Sequence, residues 1–537
     1  MASLGRATAL LASGTLVSRV LGFGRQWMLV QALGTVGFVT DAFSTANNVP
    51  NTIFAIISQG LLNAVLIPQL VRAANHKDGG QAYINKLVTL GILVFGAITV
   101  VATLLAPQLI FAYNIHGAKA TLATAFAYWS LPQIFFYGLY TLLGEVLNAR
   151  KSFGPFTWAP VLNNVVSIAS LIVFIAVYGP GGLPGVADWS PLAVFIVAGG
   201  ATLGIAAQAL ILTLFWRRVG LRFRFDFAWR GMGLRSVGTA AGWTFAMLLC
   251  TQVAGWFETV VANSASGHHR AGVTVMTTTW LLFMLPYSII AVSIVTAYFT
   301  RMSEHARDND MESFKADYSQ SVRAIVLSVS VCAAVLIVTA IPVARIFSND
   351  LRAINSFAYV LMAFVVGLVP FVIGFVTLRA FYSLGDTRSP FLYTLVQSLI
   401  VVAGLFVCFT LPLEARVFGI ALTVSIAGTV QTALAMLALR RRLHGLEFGR
   451  VFSAVLQGFA AAAVATIVGF GVLVAFVEVG PPRFITASFG SAVITSVVVA
   501  IVMLAVYVAL LRAFRTPELL TAIAGIRRRL GRSQTAE

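Results

Sequence analysis

Long apolar runs recur from one end of this chain to the other, and they constrain its fold more than any other feature. A bilayer crossing takes roughly 20 apolar residues. Runs of that length start near residues 7, 38, 86, 121, 158, 191, 235, 271, 320, 354, 390, 417, 450 and 485. They leave no room for a sizeable soluble domain. Backbone N–H and C=O groups in lipid must be satisfied internally, so runs of this kind fold as helices. The expectation is an all-α polytopic membrane protein with about 14 transmembrane helices. The run near residue 38 holds Pro50 and Asn51 in its interior, which predicts a break there. In lipid such a break is tolerated where it lines a cavity or packs on protein.

The first run, from about Ala7 to Leu33, contains Arg19 and Arg25. A cation at bilayer depth costs at least ~2.5–3.5 kcal/mol on insertion scales. Such residues face a water-filled cavity or a partner and mark a substrate or ion pathway. No signal-peptide cleavage pattern follows them, so the helix is expected to be retained. Six positions separate the two arginines, which places them about 120° apart and about 9 Å apart along a helix. Gly22 and Gly24 between them permit a bend or close backbone approach. A guanidinium donates paired hydrogen bonds that match a diphosphate, so the pair suits a large anionic headgroup. The alternative is ion pairing between helices, Arg25 with Asp41 or Arg19 with Glu258.

The formal net charge of +18 invites a nucleic-acid partner, but its distribution points elsewhere. Alternate loops carry Arg72, Lys77 and Lys86; Arg150 and Lys151; and Arg217, Arg218, Arg222, Arg224, Arg230 and Arg235. Later loops on that side carry Arg301, Arg307, Lys315 and Arg323; Arg388; and Arg440, Arg441, Arg442 and Arg450. The tail adds Arg512, Arg515, Arg527, Arg528, Arg529 and Arg532. Opposite loops hold Lys119, Arg270, Arg352, Arg416 and Arg483. This is the positive-inside pattern, with both termini in the cytoplasm and no nucleic-acid partner. Attraction to anionic lipid headgroups adds to it.

Three acids lie within the apolar spans: Asp41, Glu145 and Glu258. Hydrolases and transferases need convergent acids, bases or metal ligands, so this scarcity argues against an enzyme. Cys250, Cys332 and Cys408 lie in apolar spans as small buried hydrophobes, and no histidine has metal-ligand spacing with Cys, Asp or Glu. No catalytic residue, cofactor or protein-bound metal is expected, apart from a sodium ion or proton at Glu258. No phosphate loop appears. The energy source is then an ion gradient, the membrane potential or the substrate gradient. Glu258 lies in the first helix of the second half with apolar neighbours, where a lone carboxylate binds a cation or a proton unless an arginine pairs with it. Asp41 lies near a helix start, where an N-terminal or gate role competes with substrate contact. Glu145 reads as a helix-end contact, and Asp386 and Arg388 in GDTRSP as the cap of a short cytoplasmic turn; all three are gate or structural candidates.

The chain echoes itself at a separation of about 235 residues. LNARKSFGPF from Leu147 matches YSLGDTRSPF from Tyr382, placing Pro155 on Pro390 and Phe156 on Phe391. Pro50 corresponds to Pro286, and the loop after Pro68 to the loop after Arg301. The expected organisation is an N-terminal six-helix lobe (1–220), a second six-helix lobe (221–445), two extra helices (446–515) and a basic tail (516–537). Six helices per repeat makes the repeats parallel, with substrate between them near the midplane and transport by rocking of one half against the other.

Together SRVLGFGRQ from Ser18, TDAFSTANNVPN from Thr40, LNARKSFGPFTWAPVLNN from Leu147 and RAFYSLGDTRSP from Arg379 resemble the MurJ (MviN) lipid II flippase family. That family lies within the multidrug/oligosaccharidyl-lipid/polysaccharide exporter superfamily. The resemblance implies two six-helix lobes around a central cavity and two C-terminal helices flanking a groove for a lipid tail. It implies movement of an undecaprenyl-diphosphate-linked peptidoglycan precursor from the inner to the outer leaflet, with cell-wall synthesis proteins as partners. Arg19 and Arg25 fall on cavity arginines, Asp41 on the acid of the second helix, and Glu258 where some members place a sodium ligand.

Several positions depart from the family pattern. Gln26 stands where many members have Asp, Phe54 and Ala55 where members often have arginine, and Gln59 where Glu is common. TTTWLLFMLP lacks the arginine that usually precedes Leu-Pro, with Leu281 near its place. The resulting cavity is less cationic than the pattern. Other functions are export of another polyprenyl-linked glycan or of a drug, and a non-transporting scaffold that binds lipid precursor. Drug export favours acidic and aromatic cavity residues, against which the two arginines speak. A polytopic glycosyltransferase needs acids in large external loops, and here those loops are short.

Overall fold

The computed structural model describes residues 2–58, 80–183, 185–228, 239–267, 270–446, 448–478 and 484–518, and side chains from residue 13 onward. Gln59, Pro68, Arg72, Lys77, Arg230, Arg235, Arg483, Arg527, Arg528, Arg529 and Arg532 lie outside the described residues. Every apolar run forms a helix. In chain order these are α1 (Ala2–Leu33), α2 (Phe38–Ile57), and α3 (Gln81–Leu104, continued by Ala106–Ala112). Next come α4 (Ala118–Ser130, continued by Gln133–Ala149), α5 (Phe153–Tyr178), α6 (Pro191–Val219) and α7 (Thr239–Ala265). The second half holds α8 (Val273–Arg307), α9 (Met311–Val338, continued by Ala340–Phe347) and α10 (Leu351–Val366, continued by Leu368–Ser383). It ends with α11 (Arg388–Thr410), α12 (Arg416–Arg442), α13 (Phe448–Glu478) and α14 (Phe489–Ala513).

Among the described residues ten helices are long and apolar enough to cross a membrane alone, and the two pieces of α10, bent by 40°, make an eleventh. The remaining three carry polar or broken stretches: arginines in α1, Asp41 and three asparagines in α2, and a break after Ser130 in α4. The break expected at Pro50 is not there; α2 runs through Pro50 as far as Ile57.

Contacts divide the chain into Met1–Thr274 and Val275–Glu537. In the first unit α1 lies along α5, and α5 packs on α6. A run of rings anchors its core: Phe43 meets Phe126 edge-on at 5.5 Å, Phe126 meets Trp189 at 5.2 Å, and Trp189 stacks on Phe174 at 5.5 Å. In the second unit α9 packs on α13, and α13 on α14. Val338, Ala461, Ala465, Val499 and Met503 fill that contact, and the Tyr507 hydroxyl donates to the Leu327 carbonyl at 2.7 Å. The outward side of α13 exposes Phe452, Leu456, Ile467 and Val477, an apolar face suited to lipid.

The duplication is visible in where helices begin. Phe38 and Val273, Gln133 and Leu368, and Phe153 and Arg388 are helix starts, each pair 235 positions apart. Both α4 and α10 break just before the members of one pair, Gln133 and Leu368, at Pro132 and Gly367. The contact division assigns α7 to the first unit, while the repeat begins its second copy with that helix; contacts and internal symmetry are separate properties of the chain.

Candidate substrate cavity

A guanidinium on α1 has to be either solvated or enclosed by polar groups, and the two arginines take different solutions. Arg19 is exposed. Arg25 is half-buried and lines a cavity of about 50 Å³ with Gln26, Asn47 and Ser167, closed by the apolar Leu29, Phe43 and Leu171. That space admits a few waters and no diphosphate sugar headgroup. In this conformation the cavity at Arg25 is shut. The Tyr137 phenol lies near Arg25. The Tyr137 ring lies 5.5 Å from Phe54, which lies 5.9 Å from Phe95. At Phe54, where the family pattern places arginine, this chain therefore builds an aromatic stack beside the half-buried Arg25 guanidinium.

The α1 backbone is held close by. Asn164 Nδ2 donates to the Ser18 carbonyl at 2.9 Å, one residue before Arg19. Across the same unit Gln133, fully buried, donates to Asn47 Oδ1 at 2.9 Å and to Thr202 Oγ1 at 3.0 Å. Thr202 in turn donates to the Trp129 carbonyl at 2.6 Å. Unpaired polar groups are costly in an apolar interior, so this chain of donors fixes Asn47 at the cavity wall. Sequence reasoning missed Asn47, Gln133 and Tyr137. The signal for Asn47 was there: Asn47 and Asn51 repeat at helical spacing on α2, with Ser44, Asn48 and Thr52 on another row.

Asp41 does not pair with Arg25. It is 1% exposed, and its carboxylate accepts from the Ser266 hydroxyl at 2.5 Å and from the Thr274 backbone N–H at 2.8 Å. Ser44 and Thr274 hydroxyls meet at 2.9 Å beside it. A Cβ on Gly272 would collide with the carboxylate, so the segment after α7 must pass there without a side chain. Asp41 thus ties the start of α2 to the α7–α8 turn, and in this conformation both of its carboxylate oxygens are engaged by protein donors.

Further bonds attach α7 to the same unit. Asn263 Nδ2 donates to the Tyr113 carbonyl at 2.8 Å while Thr45 donates to its Oδ1 at 3.1 Å; Trp256 Nε1 reaches the Ala112 carbonyl at 3.2 Å. Glu258, half-buried on this helix, has no hydrogen-bond or ion-pair partner among the described residues, so the Arg19–Glu258 pair is not formed. Glu145 is half-buried near the end of α4 and accepts from Asn148. Asp386 does cap its turn: it accepts from Ser389 N–H at 3.0 Å and Ser389 Oγ at 2.8 Å, and pairs with Arg442 at 2.5 Å. Arg388 is exposed at the first position of α11.

The second unit lines the corresponding region differently. Next to half-buried Leu281, Trp280 stacks on Phe283 at 4.8 Å and meets Phe364 at 5.4 Å and Phe371 at 6.1 Å. Tyr287 extends the cluster to Phe375, 5.0 Å away. Its charges collect at the helix ends instead, where Asp317 takes Arg301 at 2.7 Å and His305 at 3.3 Å. In the turn before α9, hydrogen bonds from Ser313 hold the Asp310 carboxyl below the usual carboxylate range. No group of three or more His, Cys, Asp or Glu side chains converges on a metal position among the described residues.

A family model described as lipid II flippase MurJ matches residues 29–494. A lipid II flippase MurJ of Burkholderia cenocepacia is 25% identical over 455 residues, covering 82% of this chain and 84% of that protein. A probable lipid II flippase MurJ of Synechocystis sp. is 26% identical over 402 residues, covering 72% of this chain and 73% of its own length. Among solved structures, one described as lipid II flippase MurJ in an inward closed conformation superposes with a TM-score of 0.71 at 16% identity. It covers 94% of this chain and 99% of that one. An inward-facing multidrug resistance MATE transporter of the MOP superfamily gives 0.64 at 17% identity over 79% of this chain and 94% of its own.

Proposed function

The chain belongs to the lipid II flippase MurJ family, and we propose that it carries lipid II, the undecaprenyl-diphosphate-linked peptidoglycan precursor, from the inner to the outer leaflet by alternating access. It is a multi-pass membrane transporter rather than an enzyme. The observation that carries the reading is Arg25, a guanidinium on a membrane helix with Asn47 and Ser167 at the wall of its cavity. An arginine so placed is unfavourable in lipid and useful against a diphosphate, to which it donates paired hydrogen bonds.

In this scheme the two lobes of the internal repeat (1–220 and 221–445) rock against each other, with the last two helices (446–515) beside them. Arg25 and Arg19 hold the diphosphate when the small cavity at Arg25 opens. Asp41 serves as a gate latch, joined to Ser266 and Thr274 in the closed state and released when α7 moves. Asp386, with Arg442, orients the α10–α11 turn; Arg388 and Glu145 act at the same cytoplasmic ends. Glu258 binds sodium or a proton and biases one arrangement through its different affinity for the two. Both termini lie in the cytoplasm, and outward passage of a diphosphate is favoured by ~2.3 kcal/mol per charge per 100 mV across an inside-negative membrane. Cell-wall synthesis proteins that make or consume the precursor are the expected partners.

The test is reconstitution. Purified protein in proteoliposomes containing lipid II should increase the fraction of headgroups accessible from the opposite leaflet, and Arg25→Ala should abolish that increase. Equal transfer by wild type and Arg25→Ala would refute the role of Arg25. No transfer by wild type with the substrate present would refute the function.

A further inference from the structure

We propose that the first unit carries a binding site for an anionic phospholipid between α3, α4 and the segment that follows α6, apart from the Arg25 cavity. The site needs membrane embedding alone and stands or falls independently of flipping. It faces the leaflet on the side of residues 217–227, the cytoplasmic one in the orientation proposed above.

The segment Leu221–Phe227 runs in extended form along α3 after Gly220, whose φ of 77° makes the turn that a side chain would strain. It is pinned at both ends. Gln81 Nε2 donates to the Arg222 carbonyl at 3.1 Å, and the Asp226 N–H donates to Thr89 Oγ1 at 3.1 Å. Successive side chains of an extended segment alternate in direction. In this one arginines occupy 222 and 224, and phenylalanines 223, 225 and 227. Phe225 and Phe227 are 63% and 60% exposed, far more than a water-facing turn would tolerate for stacked rings, and suited to the headgroup boundary.

Beneath the segment lies a cavity of about 1250 Å³. Arg217, Arg222 and Arg224 line it on one side. Val88, Ile92, Leu139 and Leu143 form an apolar wall. Small-molecule pockets are typically ~300–1,000 Å³, so this volume suits a long amphiphile. A phosphodiester supplies an anionic charge for the three guanidiniums, and its acyl chain suits the apolar wall. Basic pockets between membrane helices bind anionic headgroups in this manner.

The experiment uses the full chain, purified and delipidated in detergent, and titrates dioleoylphosphatidylglycerol or dioleoylphosphatidylcholine while following bound lipid by native mass spectrometry and the melting temperature. Phosphatidylglycerol should be retained preferentially and raise the melting temperature. Each of Arg217→Gln, Arg222→Gln and Arg224→Gln should weaken that binding about fivefold, given roughly 1 kcal/mol per basic residue at an anionic surface. Leu139→Trp, which fills the apolar wall, should weaken it with all charges in place. Arg441→Gln, outside the pocket, should leave it unchanged. Equal binding of the two lipids, an equal loss with Arg441→Gln, or unaltered binding by Leu139→Trp and Arg224→Gln would overturn the site. Displacement of phosphatidylglycerol by undecaprenyl diphosphate at equal or lower concentration would assign the pocket to the transported lipid and overturn it too.

Discussion

The two units of this protein share a register of helix starts 235 positions apart and line equivalent helices with opposite chemistry. The first unit sets arginine, glutamine, asparagine and serine around a small cavity and holds the asparagine with a chain of hydrogen bonds through Gln133. In the second, Trp280, next in sequence to the position where the family pattern would put another arginine, packs with Phe283, Phe364 and Phe371. A duplicated frame thus keeps its helix geometry, which every backbone group in lipid demands, while its side chains diverge. The cavity-lining arginine Arg25 lies in one unit, and packed aromatic rings lie in the other.

The largest effect expected from that asymmetry is at Arg25. Arg25→Ala should abolish transport with membrane insertion intact, since hydrogen bonds to charged groups contribute about 1.5–3 kcal/mol and more when enclosed. Arg25→Lys should rescue partly, because a point charge loses the paired geometry. Complementation of a depleted strain at native expression measures both. Normal growth with Arg25→Ala would end the asymmetry as a functional statement.

In the second unit the expected loss is stability. Trp280→Ala removes a large ring from an aromatic cluster and should cost roughly 3–5 kcal/mol. Thermal unfolding should register that loss, while binding of a soluble diphosphate to the purified protein stays near wild type. A variant that keeps its melting temperature and loses diphosphate binding would place recognition in both units.

A smaller effect is expected at the latch. Asp41→Ala leaves the Ser266 hydroxyl and the Thr274 N–H without their acceptor, at a cost of about 1–3 kcal/mol. The closed arrangement should become less populated, so that a cysteine at position 267 reacts faster with an aqueous thiol reagent in Gly267→Cys/Asp41→Ala than in Gly267→Cys alone. Unchanged reactivity would remove Asp41 from gating. With Cys250, Cys332 and Cys408 replaced, Gly267→Cys should label from outside intact cells and Arg224→Cys should not, as the proposed orientation requires.

The smallest expected change concerns Glu258, where Glu258→Gln alters ion dependence more than rate. Transport by the wild type should respond to sodium or to pH, and the variant should lose that response. A variant with the wild-type response would exclude this carboxylate from coupling.

Much of the frame was legible in the residues alone. Apolar length predicted the helices, and the echo of LNARKSFGPF in YSLGDTRSPF marked helix starts at Phe153 and Arg388. The contacts were not legible, for a physical reason. In a soluble helix the apolar face is the buried face, whereas in lipid both faces are apolar and periodicity does not say which one packs. Nothing local to Asp41 could announce Ser266 and Thr274, more than 220 residues away, and α7 joins the first unit through side chains that read as ordinary polar residues. Pro50 signalled a break that α2 does not have, because proline in a membrane helix is tolerated when neighbours re-satisfy the backbone.

The central claim is that this chain moves lipid II outward through the arginine-bearing first unit. Its most direct test is the leaflet distribution of lipid II in the native bacterium, measured after depletion of the protein and after return of wild type, Arg25→Ala or Trp280→Phe. Lipid II should accumulate in the inner leaflet on depletion, return to the outer leaflet with wild type and Trp280→Phe, and stay inside with Arg25→Ala. An unchanged outer-leaflet pool on depletion, or full restoration by Arg25→Ala, would contradict it.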